Sequence, residues 1–349
     1  MHQTRQPRGR MALIALGSVA LLLLSLPALT AAQAQPGDRP QTRLNPFRQL
    51  GPELPTPNAL RTASGAPGPG YWQQKVDYDM AVELDEERRR ISGVETIVYH
   101  NNSPDPLSYL WVQLDQNRRA RDSISQKTSP GRLSDTMSVR ALERLHDDFD
   151  GGFKIEHVRD GAGKDLPHTV VETMMRIDLP RALEPGGRFA FEIKWWYNVN
   201  DRSRQGGRSG YDHYEKDGND VFAIAQFFPR LAVYDGAIGW QHRQFFGSGE
   251  FTLPFGDYKV AITVPADHIV GATGELRNPG EVLTAAQRER LDRARAGTAT
   301  PVLIVTPAEA AANEKAADAG RKTWVFEAGN VRDFAFASSR KFIWDALAS

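Results

Sequence analysis

Between Val76 and Leu84 the apolar residues Val76, Tyr78, Met80, Val82 and Leu84 alternate strictly with polar ones. Such a period of two puts every second side chain on a core and the others in water, which only a half-buried β-strand satisfies. The charged run Asp85–Arg90 turns the chain, a returning strand covers about 91–99, and Asn101-Asn102-Ser103-Pro104 ends it. Leu107–Leu114 is the third strand, Val170–Leu179 alternates again, and Phe189, Phe191, Ile193, Trp195 and Tyr197 give the clearest repeat. Strands therefore dominate. Trp195 and Trp196, adjacent in one strand, must point to opposite faces, one into the core and the other as a cover or a stacking platform.

The pattern changes in four places. Residues 35–70 are rich in Pro and Gly, with Pro52, Pro55, Pro57, Pro67 and Pro69, and read as an extended or disordered tether before a β domain spanning 71–345. Residues 117–150 form an irregular segment with a short helical patch near Val139–Leu145, and 201–220 a Gly- and Arg-rich loop. Between about 284 and 320 the period becomes helical, with one helix opening at Thr284 and another at Thr306-Pro307, a surface insertion between strands.

Ahead of these, Arg5, Arg8 and Arg10 precede an apolar stretch from Met11 to Leu26, and Ala32-Gln33-Ala34 is a small-residue cleavage box. Residues 1–34 read as a secretory signal cut after Ala34, so the protein is expected to be exported, periplasmic or extracellular, with no transmembrane helix after cleavage. The 43 Lys and Arg balance 43 Asp and Glu, and loss of the three signal arginines leaves a net charge near −3, which excludes a nucleic-acid partner. Cysteine is absent, so a large core rather than disulfides must hold the exported fold.

The segment Ala225-Gln226-Phe227-Phe228-Pro229-Arg230-Leu231-Ala232-Val233-Tyr234-Asp235, followed by Gly239-Trp240, crowds aromatic residues, a proline and an arginine around one amide at the end of the strand Val221–Ile224. It resembles the corresponding stretch of the aminopeptidase N type of zinc metallopeptidases, the family that also contains leukotriene hydrolase. Further stretches fit in order: Tyr78–Asp85 with Ile91–Glu95, Tyr258–Pro265 with Ala272–Gly274, and Asn330–Ala337. The resemblance implies a mostly β fold, a curved, saddle-like antiparallel sheet packed on a smaller one, equivalent to that family's amino-terminal domain. On the residues alone Gln226 is equally an interior amide hydrogen-bonded to a neighbouring strand; the resemblance implies that it helps hold the free amino terminus of a peptide substrate. In many members an amide or acid follows two positions later on the same face, where this chain has Phe228. The family's chemistry belongs to a downstream catalytic domain carrying H-E-x-x-H, whose two His and a Glu bind zinc while a second Glu activates water and a Tyr stabilises the oxyanion. That motif does not occur here, so the chain is expected to hold no cofactor and to be inactive alone.

Other constellations are weaker. His213 stands beside Asp212 near Glu215, Asp217 and Asp220 without the spacing of a calcium loop. Ser209 and Ser248 lie in glycine-flanked turns without a nucleophile-elbow context. Arg230 and Asp235 are expected to pair and fix the end of their strand. Two functional readings follow: the leading portion of an exported zinc aminopeptidase, or a non-catalytic exported β-sandwich module binding a peptide, sugar or protein partner. The apolar run Phe342-Ile343-Trp344 near Ser349 is expected to lack a packing partner, which favours the first.

Overall fold

The computed structural model describes residues 57–128, 135–139, 142, 148–249, 252–315 and 320–348. The signal segment, the tether up to residue 56 and most of the patch at 139–145 lie outside the described residues. The strands are β1 (Lys75–Asp85), β2 (Arg90–His100), β3 (Leu107–Gln113), β4 (Lys154–Asp160), β5 (His168–Val171), β6 (Met174–Leu183), β7 (Arg188–Asn198), β8 (Gly210–Tyr214), β9 (Asn219–Ile224) and β10 (Arg230–Leu231). They continue with β11 (Tyr234–Asp235), β12 (Gly239–Trp240), β13 (Gly256–Pro265), β14 (Ile269–Ala272), β15 (Glu275–Leu276), β16 (Val302–Val305), β17 (Arg321–Val331), β18 (Phe336–Ser339) and β19 (Trp344–Ala346). The fold is mostly β, as the alternation requires.

The largest sheet has the order β15-β17-β13-β1-β2-β7-β4. Antiparallel register puts Tyr78 opposite Ile97 and Val76 opposite Tyr99, and β7 continues with Phe191 opposite Ile97 and Trp195 opposite Gly93. The phase is preserved across all three strands, so their apolar sets share one buried face. Gly93 is required there: a Cβ at that position would lie 2.6 Å from the Trp195 ring. Trp195 is core, whereas Trp196 turns outward under the Arg90 guanidinium, 3.9 Å from its ring centroid. One pairing in this sheet, β1 with β13, is parallel. The remaining strands form two four-stranded sheets, β10-β3-β6-β5 and β14-β18-β9-β8, and the pairs β11-β12 and β16-β19.

Several expectations are corrected. Residues 57–70 are not a loose tether: Asn58 caps a turn through the amides of Leu60 and Arg61, Arg61 bridges to Pro67, and the Gly68 and Gly70 amides bond back to Leu60 and Ala59. The segment 201–220 is largely a hairpin, β8 with β9, because Tyr211 and Phe222 give it apolar faces that a Gly- and Arg-rich composition concealed. The insertion contains helices Ala285–Arg295 and Pro307–Asn313, each opened by a reciprocal capping box, Thr284 with Gln287 and Thr306 with Glu309. Between them, however, lies β16, which pairs with β19 and sets Val305 opposite Trp344. The apolar run near residue 343 therefore has a partner: Phe342 and Trp344 pack against the core, and only Ile343 stands in solvent.

A clasp fixes the turn between β1 and β2 to the strand end after β18. Arg340 holds both oxygens of Glu86, at 2.6 and 2.7 Å, and Asp267 at 2.9 Å. Burial opposes the charge on Glu86, but His268 and Arg340 outweigh it and hold the carboxyl down at about 2. A depressed carboxyl contributes stability that is complete above its unfolded-state value near 4.5 and is lost as pH falls towards 2. Thermal unfolding followed from pH 6 to pH 2 should therefore lose part of its stability below pH 4.5, and Glu86→Gln should start lower and show a flatter acid limb. An acid limb unaltered by the substitution would show that the clasp does not carry this dependence.

Candidate functional site

β9 and β10 belong to different sheets, and residues 225–229 carry the chain from one to the other. The crossing turns at Gln226, whose φ of 52° lies in the left-handed region that non-glycine residues enter only under constraint. The constraint is visible: the Gln116 amide donates to the Gln226 carbonyl at 2.8 Å and is itself held by Arg119, whose Nη1 donates to its oxygen at 2.7 Å. On the strand side, the Ala225 amide donates to Ser209 Oγ at 3.3 Å, which explains Ser209 as a buried structural hydroxyl. Beyond the turn, Phe227 and Phe228 are fully buried, and the Leu231 amide donates to the Tyr78 hydroxyl at 3.0 Å.

The turn at Gln226 has a consequence for the resemblance. In a regular strand, positions 226 and 228 would share a face. Here the positive φ breaks the alternation, so Gln226 faces a cavity while Phe228 packs edge-on against Tyr78, ring centroids 5.3 Å apart, in the core. No polar group two residues on can join Gln226.

The cavity has a volume of about 240 Å³ and is lined by Gln226, Asp115, Arg230, Asp333, Arg332 and Phe245, among others. Arg230 is 6% exposed and binds Asp115 at 2.7 Å through Nη2 and Asp333 at 2.6 Å through Nη1. Burial disfavours the guanidinium charge, but the two carboxylates more than offset this and raise its pKa. Desolvation raises the pKa of Asp333 against the pull of Arg230, and repulsion from Asp115 adds to it. The Asp333 side chain remains 42% exposed, and the Gln226 side-chain amide has no hydrogen-bond partner among the described residues. An unbonded amide and a half-shielded carboxylate on one wall suit an ammonium group. The sequence did not single out Asp333; its only signal was its place within the Asn330–Ala337 stretch.

The expected Arg230–Asp235 pair does not form. Asp235 instead accepts from the Ala237 and Ile238 amides and from the Gln241 side chain, capping the turn between β11 and β12. Arg230, committed to β10, points towards Asp115 and Asp333. His213 bonds to Asp220 at 2.6 Å, and Arg89 reaches the same carboxylate at 2.9 Å, an ion-pair cluster. Among the described residues no group of three or more His, Cys, Asp or Glu is placed to hold a metal ion. The described residues thus offer no donor set that fits zinc, and no helix among them is long and apolar enough to cross a membrane.

No protein-family model matches the sequence, and a search of curated proteins finds no match. Among solved structures the chain is similar to the M1 zinc metallopeptidase from Deinococcus radiodurans, at 14% identity and a TM-score of 0.38, over 78% of this chain and 43% of that one. It is likewise similar to a mutant of that enzyme bound to a Tyr-Ser-Ala substrate, at 13% identity and a TM-score of 0.38, over 78% and 44%. The chain spans less than half the length of these structures.

Removing Arg230 would leave Asp115, whose side chain is 3% exposed, as a buried uncompensated charge. Urea unfolding should show Arg230→Ala destabilised by about 3–5 kcal/mol, with Arg230→Ala/Asp115→Asn recovering part of the loss. Single and double variants within about 0.5 kcal/mol of the parent would contradict the described tie.

Proposed function

We propose that this chain is the amino-terminal β domain of an exported zinc-dependent aminopeptidase, in which it walls the substrate site and holds the free amino terminus of a peptide. The reading rests first on the ordered resemblance of the stretches around Tyr78, Gln226, Tyr258 and Asn330. The observation that carries it is the presentation of Gln226: a strained backbone pinned by Gln116 keeps its unbonded amide facing a cavity whose wall also carries Asp333. Strain of this kind, about 1–3 kcal/mol, persists where surrounding structure enforces it and concentrates at ligand sites.

In this reading Gln226 accepts from the substrate ammonium through its amide oxygen, and Asp333 supplies the negative charge that the residue at 228 does not. Arg230 fixes Asp333 and prevents it from swinging into solvent. Peptide-bond hydrolysis belongs to zinc ligands outside the described residues, in a downstream catalytic domain, and the signal segment directs the protein to the periplasm or the exterior.

The test is titration calorimetry of the chain with a short peptide amide, with free or acetylated amino terminus. Free-amine peptide should bind and acetylated peptide should not. Gln226→Ala should weaken the free-amine peptide by about 1–3 kcal/mol, as for a lost hydrogen bond to a charged group, with a smaller effect on stability. Equal binding of both peptides would contradict amino-terminus recognition and favour a general peptide-binding module.

A further inference from the structure

The 3₁₀ turn Asp115–Arg119, which positions both Asp115 and Gln116, ends in two adjacent arginines. Arg119 is 6% exposed, yet its guanidinium meets only neutral oxygens, of Gln116 at 2.7 Å, Gly206 at 3.4 Å and Ser209 at 3.5 Å. Its Nε has no acceptor among the described residues. Arg118 is half-buried and donates to no acceptor among the described residues, and its Nε is shielded from solvent as well. The other buried arginine, Arg230, and the partly buried Arg340 are treated differently: each holds two carboxylates.

Two loops close on this pair. A Cβ at Gly247 would lie 2.6 Å from the Arg118 guanidinium carbon, and one at Gly207 would lie 2.6 Å from Arg119 Nη2 and 3.5 Å from Arg118 Nη1. Both glycines have positive φ, 96° and 95°, a conformation that residues with a Cβ rarely adopt, and their backbone lies against the two guanidinium groups. The Phe245 ring, 6.0 Å from Arg118, also lines the Gln226 cavity. Burial lowers the pKa of both arginines; for Arg119 repulsion from Arg118 adds to burial, and the weaker attraction of Tyr197 and Asp115, neither of which it hydrogen-bonds, does not offset them, leaving it at about 10. Desolvated cations without counter-charge are unfavourable in a finished interior, and buried charges are ordinarily paired.

We propose that Arg118 and Arg119, framed by Gly207 and Gly247, form an anion site that takes a carboxylate of the bound peptide, an acidic side chain or a terminal carboxylate. The peptide as occupant rests on the function proposed above; the carboxylate chemistry does not. A guanidinium presents paired N–H groups that match a carboxylate, and Arg118, the more exposed of the two, makes first contact while Arg119 adds charge behind it.

The experiment has two arms on the full chain. In the first, the melting temperature is followed with glutarate, and separately with inorganic phosphate, against chloride at equal ionic strength. Glutarate should raise it by several degrees in the parent, not in Arg118→Gln, and partly in Arg118→Lys. Without added anion, Arg118→Gln should melt no lower than the parent, because the cation it removes has no hydrogen-bond acceptor or carboxylate among the described residues and only a distant contact with the Phe245 ring; a purely structural arginine would lower it. In the second arm, a free-amine peptide carrying Glu should bind at least tenfold more tightly than its Gln isostere, and the ratio should fall to about one in Arg118→Gln. Glutarate protection that depends on Arg118, with no peptide binding, would sustain the carboxylate site and remove the peptide reading. No glutarate effect, an effect equal in Arg118→Gln, or a response to phosphate alone would overturn the proposal.

Discussion

The buried tie from Arg230 to Asp115 and Asp333 is the interaction on which the rest of the site depends. It brings together three points far apart in the chain: the turn after β3, the two-residue strand β10, and the bend between β17 and β18. A buried ion pair is a poor source of net stability, since desolvation consumes most of the attraction. Its effect here is geometric. With Arg230 fixed in register against Gln113, the crossing from β9 to β10 has five residues in which to change sheets, and Gln226 takes the left-handed turn that this short span requires.

Seen from that constraint, polar and apolar residues of the Ala225–Asp235 stretch have separate tasks. Phe227 and Phe228 anchor the crossing in the aromatic core with Tyr78, Tyr258 and Phe336. Gln116 satisfies the carbonyl that the turn exposes, and Arg119 holds Gln116. Only the Gln226 side chain is left without an internal partner among the described residues, on the wall it shares with Asp333 and Arg332. The large sheet carries another unbalanced group, Glu95, fully buried among Met80 and Ile193 with both carboxylate oxygens unpartnered among the described residues. Burial raises its pKa well above the ordinary range, which favours the neutral acid.

What the sequence disclosed followed from local periodicity. Strands β1, β2 and β7 were legible because long alternating runs allow only one register with one buried face, and the helices opening at Thr284 and Thr306 because their capping residues are local. What escaped depended on partners distant in the chain. β16 and β19 are short, and neither has a pattern of its own; each is a strand only because the other pairs with it. The hairpin β8–β9 was concealed by glycine and arginine, and the order at 57–70 by proline. In the site, Gln226 was legible from the company it keeps, but the loss of face-sharing with Phe228 was not, since it comes from one positive φ. Arg230 was matched to the nearest acid in sequence, Asp235, whereas its partners are Asp115 and Asp333, 115 and 103 residues away.

The crossing needs a left-handed turn at position 226, and a glutamine, not a glycine, occupies it for the sake of its side chain. Gln226→Gly tests this most directly, because glycine adopts the left-handed turn without a Cβ penalty while removing the amide. The relief of about 1–2 kcal/mol exceeds or equals the entropic cost of glycine, about 0.5–1 kcal/mol. Gln226→Gly should unfold at the same or a higher temperature than the parent and should no longer discriminate a free-amine peptide from its acetylated form. A variant that melts several degrees lower while keeping that discrimination would show that Gln226 is a structural residue and not a ligand to the amino terminus.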